Sequence, residues 1–207
     1  ELAQLPLYAK PELKDEWREL VAVVTQVMAD GALPSDRRSQ ELARTWMKRI
    51  VRDTAGNPVL FAKLNAMHEN EAEVQAETGV TRALMDFILA AKRESALAIY
   101  RQYLTDEEYA FVRANLGKRD AEWPQLIAKV RTAMDDGLAP GSPEVQALAR
   151  HWFDLFRSFA GDNPATQAKI RQALMTEPAL TEDGWVDAAM RDFIRAAMEA
   201  MRQAPRD

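Results

Sequence analysis

Residues 40–46 read QELARTW and residues 146–152 read QALARHW. The second stretch lies 152 − 46 = 106 positions after the first, and the offset holds far beyond these seven residues. Trp17 pairs with Trp123, Leu20 with Leu126, Ala22 with Ala128 and Met28 with Met134. Asp30-Gly31 pairs with Asp136-Gly137, and Pro34 with Pro140. Further on, Asn57-Pro58 pairs with Asn163-Pro164, Lys63 with Lys169, and Asp86-Phe87-Ile88 with Asp192-Phe193-Ile194. No gap is needed. A constant offset through apolar, turn and cap positions marks one helical unit, duplicated with its architecture kept.

Outward from this pair, the chain reads as helices throughout. Residues 1–10 suggest a helix end or short arm, and Pro11 suits the first turn of a helix. Trp17, Leu20, Val21, Val24, Val27 and Met28 recur at three- and four-residue spacing, an apolar stripe that Gly31 ends. Ser35 is expected to cap the next helix, which buries Leu42, Ala43, Trp46, Met47 and Ile50. Gly56-Asn57-Pro58 is a turn. A third helix carries Leu60, Phe61 and Leu64, becomes acidic from Glu69 to Glu77 and stops at Gly79. Thr81 caps a fourth, with Leu84, Phe87, Ile88, Ala91, Ala98 and Ile99 inside.

Thr105-x-x-Glu108 is a capping box that opens a connecting helix. The polar stretch 117–121 is the best break between copies, and the units are assigned as 1–104 and 105–207, the connecting helix going with the second. The second unit repeats the plan: Trp123 to Met134, a helix from Ser142-Pro143, another from Asn163-Pro164 broken by Pro178, and a last helix from near Trp185 to Met201. Nothing alternates with a period of two, so no strands are expected.

The 207 residues suffice for one large domain or two small ones with a real core. A net charge of −5 argues against a nucleic-acid surface, because phosphate contact needs a concentrated basic face. With no cysteine, disulfides, thiol nucleophiles and thiolate metal sites are excluded, which suits a reducing cytoplasm. No apolar run approaches the roughly 18 residues of a membrane span, and no signal peptide is visible. The chain opens at Glu1 without a Met and reads as a fragment or processed form.

Catalytic motifs are missing. His68 and His151 lie in different copies, outside any nucleophile, zincin or phosphate-loop pattern. The run His68-Glu69-x-Glu71 reads as a solvated acidic helix end rather than a metal cluster. The copies themselves are more informative. His68 corresponds to Leu174 and Asn65 to Arg171, so polar groups in one copy face an apolar residue or an arginine in the other. A buried polar group needs a partner, which leaves both a satisfied core histidine and a ligand contact open for His68. Trp152, Phe153, Phe156 and Phe159 crowd one helix, where the other copy has Trp46, Met47, Ile50 and Asp53. Core packing is the plain reading; a pocket wall offering flat rings to an aromatic ligand is the alternative. Nine methionines suit either.

The order of these parts resembles the TipAS-type drug-binding domain of MerR-type transcription regulators: a Trp helix, a Gly-x-x-Pro turn, LARxW, then an Asn-Pro turn. The doubled form, with LNAMH in the first copy and HWFDLFRSFAGDNPATQ in the second, is most similar to albicidin-binding resistance proteins. The resemblance spans nearly the whole chain. It implies an all-α fold of two tandem globin-like repeats forming one elongated domain. It implies binding rather than turnover, with a long polyaromatic antibiotic sequestered in a tunnel and no cofactor or metal. It points to Asn65 and His68 of LNAMH, with Met67 between them, as ligand contacts, and to Trp46, Trp152 and Phe156 as walls. Covalent capture by a cysteine, used by some TipAS domains, is not available here. DNA would be a partner only through an upstream helix-turn-helix in a longer protein. The rival readings are an enzyme modifying or hydrolysing such a compound with His68 and a nearby Glu, and a helical module binding a partner helix.

Overall fold

A computed structural model describes residues 11–181 and 185–203; the expected arm at 1–10 lies outside them. The described residues form ten α-helices and no strand, as the periodicity requires. The chain divides into two compact units, Glu1–Gln102 and Tyr103–Asp207. The stretch 117–121 therefore lies inside the second unit, and the helix begun by the capping box belongs to it.

The first unit contains α1 (Pro11–Ala29), α2 (Arg37–Asp53), α3 (Pro58–Asn70), α4 (Ala72–Thr78) and α5 (Arg82–Tyr100). The second contains α6 (Asp106–Asn115), α7 (Trp123–Asp135), α8 (Pro143–Ala160), α9 (Pro164–Thr176) and α10 (Ala188–Gln203). Subtracting 106 from the bounds of α9 gives those of α3 (164 − 106 = 58, 176 − 106 = 70). The same shift ends α7 at the last residue of α1 (135 − 106 = 29).

The matching ends have matching causes. Asn57 accepts hydrogen bonds from the backbone N–H of Val59 and Leu60, and Asn163 from that of Ala165, each with Pro in the first turn. After α1, Gly31 adopts φ 79°, with Gly31 N–H on the Met28 carbonyl and Ala32 N–H on the Val27 carbonyl. After α7, Gly137 adopts φ 68° with the same two bonds, to Met134 and, from Leu138, to Ala133. Both are Schellman stops, and the left-handed residue in each is the one type without a Cβ to clash.

In the first unit α2 packs chiefly on α5 and also on α1. Val24, Trp46, Leu84 and Ile88 form its buried centre. In the second, α8 takes the central place against α10, α6 and α7, around Val130, Val145, Leu155, Ile170 and Met190. A tryptophan from the first helix of each pair meets one from the second edge-on. Trp17 and Trp46 lie 4.9 Å apart at 79°, and Trp123 and Trp152 lie 5.1 Å apart at 86°. Such contacts add about 0.5–1.5 kcal/mol to the area the rings bury.

Several local expectations change. Asp36, not Ser35, precedes α2, and its carboxylate accepts from the Leu33 N–H (2.8 Å) instead of capping the helix. The single helix expected from Pro58 to Gly79 is two, because Glu71 is extended (φ −113°, ψ 99°). Gln75 Nε2 donates to the His68 carbonyl at 2.6 Å, so the broken turn is tied by a side chain. Ala98 is exposed; Leu97 and Tyr100 are the buried residues near that end of α5. The last helix starts at Ala188 rather than near Trp185, with the Asp187 carboxylate accepting from the Met190 N–H (2.7 Å).

Two polar hubs tie helices together. Asp53 is 2% exposed; it accepts from Trp17 Nε1 (2.6 Å) and from Arg52 Nε (2.6 Å). Arg52 also reaches Glu16 at 2.8 Å. In the second unit Glu108 completes the capping box with Thr105 and accepts from Lys169 (2.7 Å) and Thr166 (2.8 Å), joining α6 to α9. Lys169 foremost, then the Thr105 backbone N–H, hold its carboxyl down at about 2.

Asp53→Ala leaves the Trp17 N–H without its acceptor. A loss of about 1–3 kcal/mol is expected by urea unfolding followed by circular dichroism. For Glu108 the folded-state value is depressed, so its contribution is full above its ordinary value near 4.5 and is lost as pH falls toward about 2. The melting-temperature gap between wild type and Glu108→Gln should therefore be widest near neutrality and shrink below that ordinary value. A gap independent of pH would show that the ion pair is not its source.

Candidate functional site

The LNAMH segment occupies the last turns of α3, whose register is set by the Asn57-Pro58 start. Asn65 and His68 are three residues apart and share a face; both are half-buried, as is Met67. His68 Nδ1 lies 3.0 Å from the Leu64 carbonyl. A carbonyl oxygen only accepts, so Nδ1 carries the proton, and in the neutral ring Nε2 is an acceptor. The side chain is thus oriented by its own helix.

Trp46 lies in the core of the first unit, 2% exposed. Its Nε1 and the Ser39 hydroxyl, two turns earlier on α2, are buried without a hydrogen-bond partner among the described residues. Each such group costs about 1–3 kcal/mol relative to a satisfied one. Trp17, by contrast, is satisfied by Asp53.

In the second unit Trp152 is half-buried, and its ring contact is with Trp123. Phe156 is joined to a ladder along α8. It stacks on Phe153 (6.4 Å, 25°) and meets Phe159 edge-on (5.5 Å, 79°). Phe156 is nearly buried; Phe153 and Phe159 keep partly open faces. Arg171 of α9 lies over the Phe156 ring at 5.5 Å, and Arg157 over Phe153 at 5.8 Å. The first unit has Met47, Ile50 and Asp53 at the ladder positions, so it builds no counterpart.

One charged cluster was not legible in the sequence. Arg119 grips Glu122 with two nitrogens (2.6 and 2.8 Å) and reaches Asp154 (2.7 Å), while His151 Nε2 lies 3.0 Å from Glu122. Arg119 first, then His151, draw the Glu122 carboxyl down to about 2. Its members come from 35 residues apart or less, but no spacing rule links an arginine before one helix to an aspartate within another. Among the described residues no group of three His, Asp or Glu side chains is placed to hold a metal ion.

A groove of about 470 Å³ runs beside α7 and α8, lined by Ala128, Lys129, Thr132, Ala133, Asp136, Glu144, Ala147 and Leu148. No aromatic ring and none of the six residues singled out in the sequence borders it. For a flat aromatic ligand the ladder is the better surface, because it offers ring faces where the groove offers only aliphatic, hydroxyl and charged side chains.

The aromatic ladder of the second unit, with its partly exposed rings, offers apolar area suited to an aromatic small molecule. Residues 110–201, from α6 to α10, match the TipAS antibiotic-recognition domain. Along its entire length the chain is 30% identical to an albicidin resistance protein from Klebsiella oxytoca, over 221 aligned residues that cover 96% of that protein. The chain belongs to the family of that albicidin resistance protein.

Phe156→Ala removes the centre of the ladder, and truncating a buried phenylalanine costs about 3–5 kcal/mol. A matching fall in stability is expected by chemical denaturation. Phe156→Leu should retain most of the stability while losing the stacking and cation–π contacts.

Proposed function

We propose that this protein confers resistance by binding a long, polyaromatic antibiotic of the albicidin type and withholding it from its target, without changing it chemically. The observation that carries the reading is the Phe153–Phe156–Phe159 ladder, lying within the segment that matches an antibiotic-recognition domain. Trp152, half-buried on the same helix, adds apolar area to it. Asn65 and His68 fix the register of the ligand through its amide groups, and Met67 adapts to its rings. The two units, 1–104 and 105–207, are copies of one globin-like helical plan, which after duplication diverged in these contacts.

The magnitudes suffice. A ligand that buries about 300 Å² of apolar surface gains about 7 kcal/mol at roughly 25 cal/mol per Å². Part of this offsets the loss of translational and rotational freedom, and a few hydrogen bonds then set specificity. Binding alone explains resistance if the protein is present in excess over its ligand.

Titration with albicidin should quench tryptophan fluorescence, saturate near one equivalent and leave the ligand mass unchanged after long incubation. Asn65→Ala and His68→Ala should each weaken binding about tenfold, the worth of one well-placed hydrogen bond. A shifted ligand mass would make the protein an enzyme. No quenching and no thermal shift would remove the reading.

A further inference from the structure

We propose that Arg171 is a specificity-determining residue that reads an anionic group, of the aryl carboxylate class, on a ligand whose ring lies on the Phe153–Phe156 stack. This rests on the binding reading above and adds the chemistry of one end of the ligand.

The stacked rings are bracketed by two guanidiniums, Arg157 over Phe153 and Arg171 over Phe156. Their electrostatic states differ. Arg157 is neutralised by Asp162, just past the end of α8, through Nε at 2.6 Å and a second contact from its terminal nitrogen. Arg171 makes no ion pair and no hydrogen bond to any of the described residues, and its guanidinium lies over the Phe156 ring. It is exposed, while the ring beneath it is nearly buried. A guanidinium carries its N–H donors in a rigid planar fork that matches the two oxygens of a carboxylate. The buried ring beside it strengthens a charged hydrogen bond relative to open water.

The copies sharpen the point. The residue equivalent to Arg171 is Asn65, and Phe156 is replaced by Ile50. At these positions the first unit therefore has a neutral amide and an aliphatic side chain where the second has a cation and an aromatic ring. In a chain with 32 acidic and 27 basic residues, an exposed cation beside aromatic rings, with no carboxylate of the described residues paired to it, is arranged for a partner from outside.

The test compares a three-ring para-benzamide ending in a free carboxylate with its methyl ester, measured by tryptophan quenching against the whole chain, alongside albicidin. Wild type should bind the acid about tenfold more tightly than the ester at low salt, with the preference shrinking as salt rises. Arg171→Gln should abolish the preference by weakening the acid alone, and Arg171→Lys should restore part of it. Unchanged ester binding in both variants shows that the ladder is intact. Equal affinity of wild type for acid and ester, equal weakening of both in Arg171→Gln, or albicidin binding with no binding of the triaryl acid would overturn the proposal. Failure of albicidin to bind, while the acid preference persists, would instead strike the proposed function.

Discussion

Each unit depends on an indole edge meeting an indole face across its first two long helices. Trp17 on Trp46, and Trp123 on Trp152, fix the separation and rotation of those helices. Large rings bury more surface than any other side chain, and an edge-on geometry tolerates little sliding. Once that crossing is set, the fourth long helix of each unit has one way to cover the apolar stripe. In the first unit Leu84 and Ile88 do so, and in the second Met190 and Ile194. The Schellman stops after the first helix of each pair set where the chain turns toward the next.

The same crossing shows how the copies parted. In the first unit Trp17 needs an acceptor and finds Asp53, a buried carboxylate held in turn by Arg52. In the second, the equivalent of Asp53 is Phe159, and the ladder Phe153–Phe156–Phe159 replaces polar satisfaction with stacked rings. One unit spends these α2 positions on an internal network, while the other turns them into aromatic surface. The polar pair Asn65 and His68 shows the reverse division on the third helix, where the second unit carries Arg171 and Leu174.

Much of the architecture is legible in the sequence. Asn-Pro starts, Asp-Gly stops and the Thr105–Glu108 capping box are short-range devices whose geometry depends on a few consecutive residues, so their positions could be read directly. The expectations that changed involve competition between local options. Asp36 turned its carboxylate back to Leu33, and the acidic run yielded to an extended Glu71 once Gln75 could reach the His68 carbonyl. At the candidate site, sequence comparison identified the residues that differ between copies but not what they touch. Arg171 was visible as a divergence; its seat on Phe156 was not.

The sequence alone determined that the chain is helical and that its turn, cap and apolar residues recur at an offset of 106 positions, because periodicity and turn chemistry act over a few residues. Tertiary structure alone decided that Trp46 is enclosed with its N–H unmet, that three phenylalanines form a ladder with partly open faces, and that one of two flanking arginines is already neutralised. Those outcomes depend on which side chains from separate helices arrive at the same point, and no local pattern encodes a meeting between helices brought together only by packing.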